Sequence, residues 1–282
     1  MRSAGEAGGQ AMHAAVSLLL KSEAWVILSF LAMATVLPFD LALATAHLSS
    51  CDPCLAKLIA ELLPFEPEID HQQSPYEALL EAIAYQSISG KAAATIFARI
   101  KALSATGGVP APTEMLKLSR QKLRRAGLSA AKILAMKDLA KKTLEGIVPT
   151  HEQALELSDA ELVERLISVR GIGAWTVEMF LIFRLGRPDV LPIHDLGVKK
   201  GWSVAYGRKH MPRPQELLEF GERWRPYRTV ASWYLWRAFE RAGYAATNKI
   251  KAPRIKRKLR VNIKRTKLVI RKKPAGPHKE ER

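Results

Sequence analysis

The chain has 282 residues, 48% of them hydrophobic, enough for one large core or two smaller ones, with a formal charge of +17 at pH 7. That charge is mostly local: residues 249–282 hold 15 Lys/Arg against two Glu, a balance of +13 that leaves +4 for everything before. The two cysteines, Cys51 and Cys54, have no second pair to complete a four-thiolate zinc site and no βαβ pattern around them, so reduced thiols are expected rather than a metal or redox centre.

Residues 1–23 are Gly/Ala-rich and carry little information. Ala24 to Leu37 is strongly apolar, but its fourteen residues before Pro38 are too few for a comfortable membrane span. Arg2 and Lys21 precede it in the manner of a signal peptide, yet nothing downstream reads as secreted. The expectation is an N-terminal extension over 1–46, poorly ordered or assigned upstream of the true start, with Met33 as a candidate start.

A helix is predicted over 52–70, with Leu55, Leu58, Ile59, Leu62 and Leu63 inward and Pro64 as its stop. Ser74-Pro-Tyr-Glu77 combines a capping box with Pro at the first helical position, the clearest helix start in the chain. Leu79, Leu80 and Ile83 follow at core spacing. The pattern breaks at Tyr85-Gln86-Ser87-Ile88-Ser89-Gly90 and resumes through Ala93, Ile96, Phe97 and Ile100. Gly107 to Pro112 is a loop. Helices follow near 113–125, 129–145 (opened by Ser129) and 151–157.

Ser158-Asp-Ala-Glu161 is another capping box, and Leu162, Val163, Leu166 and Ile167 repeat at helical spacing after it. Gly171 and Gly173 interrupt the pattern, and Trp175, Met179, Leu181, Ile182 and Leu185 resume it as far as Gly186. A Gly-Ile-Gly turn between two helices leaves backbone N–H groups at the start of the second helix available to a phosphate. A helix–helix turn with no ligand is the competing reading. Asp195 then opens a helix to about Tyr206, where it has the position of an N-cap, and helices near 214–222 and 227–242 complete the pattern. No strand-like alternation persists, so the fold class is all-α. From Lys249 onward basic residues alternate with Val, Ile and Leu without a period, which predicts a disordered arm for nucleic-acid phosphates.

Gly171-Ile-Gly-Ala-Trp175-Thr, Arg187-Pro-Asp-Val-Leu-Pro and Asp195-Leu-Gly-Val-Lys-Lys, in that order, resemble the helix-hairpin-helix DNA glycosylase superfamily. The resemblance is nearest to its 3-methyladenine DNA glycosylase II, or alkylbase, branch. Trp224-Arg-Pro-Tyr-Arg228, Tyr234-Leu-Trp236 and Arg125-Ala-Gly-Leu-Ser129-Ala-Ala-Lys132 extend it over roughly residues 50–248.

The resemblance implies two helical subdomains flanking a cleft: a central bundle near 75–185, and a second lobe near 50–72 plus 190–248 within a domain spanning 47–248. It implies a monofunctional base excision repair enzyme that flips out an alkylated base from double-stranded DNA, hydrolyses its N-glycosidic bond and leaves an abasic site. Asp195 is then the catalytic carboxylate beneath the developing oxocarbenium ion. Trp175, Trp236 and Met179 line the base pocket. Gly171, Ile172, Gly173, Ala174 and Thr176 bind the DNA backbone. Gln86, Ser87 and Ile88 form the loop that enters the minor groove. Trp175 stands where strand-cleaving relatives carry a nucleophilic lysine. The absence of a four-cysteine cluster sets the chain apart from iron–sulfur relatives. No cofactor is required, although the carbonyls of Val169 and Ile172 match the positions of a monovalent cation site for Na+ or K+. A monomer without membrane association is expected, in the cytoplasm with the nucleoid if bacterial or in the nucleus if eukaryotic. The alternatives are a non-catalytic DNA-binding module and a glycosylase for oxidised or mismatched bases.

Overall fold

A computed structural model describes residues 37–62, 64–67, 69 and 73–243. The apolar segment before residue 37 and the basic arm after 243 lie outside the described residues. Among these, thirteen α-helices and one 3-10 turn are present and no strand. None of the helices is long and apolar enough to cross a membrane.

The helices divide between two cores. Helices α3 (Pro75–Tyr85), α4 (Gly90–Lys101), α5 (Pro112–Lys117), α6 (Arg120–Arg125), α7 (Ala130–Leu144), α8 (His151–Glu156), α9 (Asp159–Ile167) and α10 (Ala174–Phe183) contribute to the first. Leu80, Ile83, Met136, Leu166 and Val177 lie at its centre. Helices α1 (Leu41–Cys51), α2 (Pro53–Glu61), α11 (Leu196–Ala205), α12 (Pro214–Gly221) and α13 (Arg228–Arg241) build the second around Leu48, Leu55, Val198, Trp224 and Leu235. Trp236 touches both cores, so it sits on the seam between them.

The second lobe starts earlier than residue 47. Asp40 caps α1 by accepting from the amides of Ala42 (2.8 Å) and Leu43 (3.1 Å), and Ala44 and Leu48 are fully buried. A boundary at 47 would cut this helix and remove part of the core. The apolar run before Pro38 masked the helix in the sequence. The cap at Asp40 was the available signal.

The connector from Arg187 to Asp195 joins the lobes and is tied down at several points. Arg187 donates to the carbonyls of Ala154 (2.9 Å) and Leu157 (2.7 Å), at the end of α8. Asp189 accepts from Arg228 Nε (2.6 Å) and Nη2 (3.1 Å), and Thr229 Oγ1 donates to the Arg187 carbonyl (2.6 Å). Glycine sets the approach of α11 to α13: a Cβ on Gly201 would lie 1.9 Å from the Leu235 carbonyl oxygen. Asp195, at the start of α11, is thereby held in register with Trp236 on α13.

Candidate active site and nucleic-acid interface

The hairpin between α9 and α10 reverses at Gly171, whose φ of 79° is left-handed. Gly173 is the N-cap of α10 and supplies no side chain to cap it. The amides of Thr176 and Val177 donate to the Gly173 carbonyl (3.0 and 3.2 Å). Those of Gly173, Ala174 and Trp175 have no hydrogen-bond partner among the described residues. An exposed helix start with three free N–H groups is suited to an anion. Thr176, expected among the DNA-binding residues, differs: its amide is used inside the helix and its side chain is buried. Ile172 is buried too and its amide donates to the Val169 carbonyl (3.0 Å), so it faces the interior rather than a ligand with its side chain.

Helix α7 supports this hairpin from behind. Asp138 accepts from the Arg170 amide (2.8 Å) and pairs with Lys142 (3.1 Å), which itself donates to the Ser168 carbonyl. Burial pushes the Asp138 carboxyl up, but the Arg170 amide and Lys142 outweigh it and hold it below the ordinary carboxylate value. One helical face away, Lys132 donates to the Ala84 carbonyl (2.7 Å) at the end of α3. Gln86 then donates to the Gly171 carbonyl (2.9 Å), joining the 86–89 loop directly to the hairpin. In that loop Ser87 has φ 59°, the one non-glycine residue in the left-handed region among the described residues. Such strain persists where the surroundings over-determine it. Ser87 and Ile88 are exposed.

Asp195 caps α11 by accepting from the Val198 amide (2.8 Å). Its carboxylate also receives two indole N–H groups: Trp236 on Oδ1 and Trp175 on Oδ2, both at 2.8 Å. Three donors from three helices therefore fix the carboxylate, an arrangement suited to a pure acceptor. Gly197 makes room for this, since a Cβ there would come within 2.7 Å of the Trp236 ring. Trp175 remains 47% exposed.

Against Trp175, which bonds Asp195, a cavity of about 570 Å³ opens between α3 and α10, with Trp175, Met179, Phe183, Tyr85, Gln86 and Ser87 among its walls; Asp195 itself is not one of them. Trp236 is not one of them, contrary to the sequence expectation. It lies behind Phe183 in a near-parallel stack (centroids 5.8 Å apart, 27° between planes), and its polar edge serves Asp195. One face of the indole is thereby covered.

One acidic residue near the site went unnoticed in the sequence. Glu178, a turn beyond Trp175, has its Oε2 buried without a hydrogen-bond partner. Burial, and secondarily the charge of Asp195, push its carboxyl up to about 7. Its position in an apolar helix was visible. The closing of the second lobe over it was not.

A family model described as HhH-GPD superfamily base excision DNA repair protein matches residues 80–226. DNA-3-methyladenine glycosylase 1 of Schizosaccharomyces pombe is 39% identical over 202 residues, covering 71% of this chain and 89% of the relative. The alkylbase DNA glycosidase-like protein mag2 of the same organism is 30% identical, covering 68% and 91%. The solved structure of the S. pombe 3-methyladenine DNA glycosylase with abasic DNA superimposes with a TM-score of 0.63, over 69% of this chain and 95% of that one. A DNA-3-methyladenine glycosidase from Bacillus halodurans gives 0.65 at 28% identity, over 76% and 97%. The chain belongs to the helix-hairpin-helix superfamily of base excision DNA repair proteins, in its alkylbase glycosylase branch.

Proposed function

We propose that this protein is a monofunctional DNA-3-methyladenine glycosylase of the type II class, acting as a monomer on alkylated purines such as 3-methyladenine and 7-methylguanine in duplex DNA. The observation that carries this reading is the Asp195 carboxylate, gripped by two tryptophan indoles, one of which lines an aromatic cavity. The uncapped start of α10 takes a DNA phosphate on the amides of Gly173, Ala174 and Trp175. The strained 86–89 loop enters the minor groove, with Ser87 or Ile88 filling the space of the departed nucleotide. The flipped base stands against Trp175 and Met179. A methylated purine is cationic, and an exposed indole attracts it by about 0.5–2 kcal/mol.

In the reaction the C1′–N bond breaks and its electron pair leaves with the base, which departs neutral. Positive charge develops on the sugar, and the fixed carboxylate of Asp195 stabilises it without reorganising. Water then bonds to C1′ and its proton passes to Asp195 or to solvent. Trp175 holds the position of the strand-cleaving lysine, and of the two lysines a turn past Asp195, Lys199 and Lys200, the second is buried with its ammonium 5.3 Å from the Phe239 ring centroid. A monovalent cation would be held by the carbonyls of Val169 and Ile172, steadying the hairpin and adding positive charge near the phosphate. The Ile172 carbonyl has no donor among the described residues, which fits such a role, while the Val169 carbonyl accepts from the Ile172 amide (3.0 Å) and would offer the cation its second lone pair. Nuclear or nucleoid localisation follows from the proposed substrate.

The test is incubation with methylated duplex DNA, scoring free base, abasic sites and strand breaks separately. The proposal expects released 3-methyladenine and abasic sites, with no strand breaks and no borohydride-trapped enzyme–DNA adduct. Binding without base release would favour the DNA-binding module, and trapped adduct would favour a strand-cleaving enzyme.

A further inference from the structure

The cavity against Trp175 is mainly apolar and aromatic, but one charged pair lies in its wall. Glu81 on α3 and Arg184 at the end of α10 both line it, with Arg184 Nη2 3.5 Å from Glu81 Oε2. Both side chains are about three-quarters covered. A largely buried ion pair is a weak source of stability, because desolvation offsets the Coulomb attraction, so its place in a cavity wall calls for another reason.

The partners of Glu81 are one-sided. Arg184 and the Gln73 amide (3.2 Å) both address Oε2. Oε1 has no partner among the described residues. Glu81, a residue of the cavity wall, therefore carries a carboxylate held on one oxygen by a guanidinium and an amide, with its second oxygen free among the described residues.

Its depth suits a purine edge. The residues from Trp175 to Arg184 span about 13 Å along α10 at about 1.5 Å per residue, and side chains on a helix lean back toward its N-terminus. Phe183 stacks on Trp236, which in turn bonds Asp195, so this end of α10 remains within reach of the reacting carboxylate. A base entering past Trp175 would point its edge remote from the sugar at Glu81.

We propose that Glu81 reads the flipped base by accepting a hydrogen bond from the N6 amine of adenine lesions, with Arg184 as the residue that positions it. This deepens the glycosylase reading and rests on it. An amine donor matches the free oxygen of Glu81. The O6 carbonyl of hypoxanthine, like that of 7-methylguanine, would instead set oxygen against carboxylate. The cationic guanine lesion is then released through its weakened glycosidic bond without this contact. A site built to receive an N–H group disfavours hypoxanthine, which lacks both the amine and the charge. Selection among damaged bases would then combine a weakened glycosidic bond with one polar contact.

The experiment measures single-turnover release of 3-methyladenine and of hypoxanthine by the same preparations of wild type, Glu81→Gln and Glu81→Asp. A misfolded fraction lowers both rates alike and cancels in their ratio. The glutamine can present its N–H to O6, so the 3-methyladenine to hypoxanthine ratio should fall on the order of 10- to 100-fold. Aspartate, shorter by one methylene, should lower 3-methyladenine release without the gain for hypoxanthine. Affinity for duplex containing an abasic-site analogue, which has no base to read, should stay within about twofold of wild type in both variants. An unchanged ratio in Glu81→Gln would overturn the assignment while leaving the glycosylase reading intact. A wild type that releases no base from any duplex would overturn that reading and the assignment with it.

Discussion

Two aspartates in this protein have nearly the same local chemistry and opposite surroundings. Asp52 caps α2 through the amides of Cys54 (3.0 Å) and Leu55 (3.3 Å), and accepts from Tyr206 Oη (2.5 Å) and Trp224 Nε1 (2.9 Å). Asp195 caps α11 and accepts from two indoles. Asp52 is only 2% exposed, sealed in the second core, whereas Asp195 lies at a seam whose indole partner Trp175 is open to solvent. A helix cap and a tryptophan bond alone therefore do not mark a functional carboxylate. What marks Asp195 is the cavity that its partner Trp175 lines and the uncapped helix start of the hairpin that presents Trp175 to it.

The first way to break this comparison is Asp52→Ala. It leaves a half-buried hydroxyl and a buried indole N–H without an acceptor and removes a helix cap, which should cost about 3–5 kcal/mol of stability. Denaturant titration would measure the loss, while base release per folded molecule should stay near wild type. Burial and the Asp52 carboxylate both push the Tyr206 phenol far above its ordinary value, so that hydroxyl remains a donor across the working pH range.

Trp175→Phe sharpens the comparison on the catalytic side. It keeps an aromatic ring against the base but deletes the donor to Asp195 Oδ2. Loss of one hydrogen bond to a charged group predicts roughly a tenfold fall in single-turnover release, about 1.4 kcal/mol, with abasic-DNA affinity little changed. If release were unaffected, the indole N–H would be irrelevant to the placement of Asp195.

The smallest expected effect concerns Glu178. Its carboxyl is raised from 4.5 to about 7, so between those values the folded protein keeps a proton that the unfolded chain has lost. Stability should therefore fall as pH rises through this window. Glu178→Gln removes the penalty: matched urea midpoints should coincide near pH 4 and favour the variant by about 1 kcal/mol at pH 8, after discounting for partial solvent screening. The opposite order at pH 8 would mean that an ionised Glu178 is stabilised by a group other than those around it here.

Local signals carried much of this structure. The capping boxes at Ser74 and Ser158 form in the fold, with Glu77 and Glu161 reaching back to the cap amides at 3.0 and 2.9 Å. The hairpin glycines and the helix start at Asp195 were equally plain, because caps and turns are properties of a few neighbouring residues. Long-range partners were not legible. A tryptophan on an amphipathic helix does not say whether its face or its N–H is used, and Trp236 uses the N–H at Asp195. Glu81 and Arg184 meet across two helices, and no spacing announces such a pair. Trp224 and Arg228 belong to a motif that had suggested function, yet they bond Asp52 and Asp189 and hold the second lobe and the connector together.

The central claim is that of these two aspartates only Asp195 performs chemistry. Its direct test is single-turnover release of 3-methyladenine by Asp195→Asn and by Asp52→Asn, with abasic-DNA affinity and melting measured on the same preparations. The account predicts that Asp195→Asn loses release by at least about a thousandfold, since charge stabilisation at the transition state is removed, while it still binds abasic DNA. Asp52→Asn should melt earlier yet release base at near wild-type rate per folded molecule. Base release that survives Asp195→Asn, or that vanishes in folded Asp52→Asn, would contradict it.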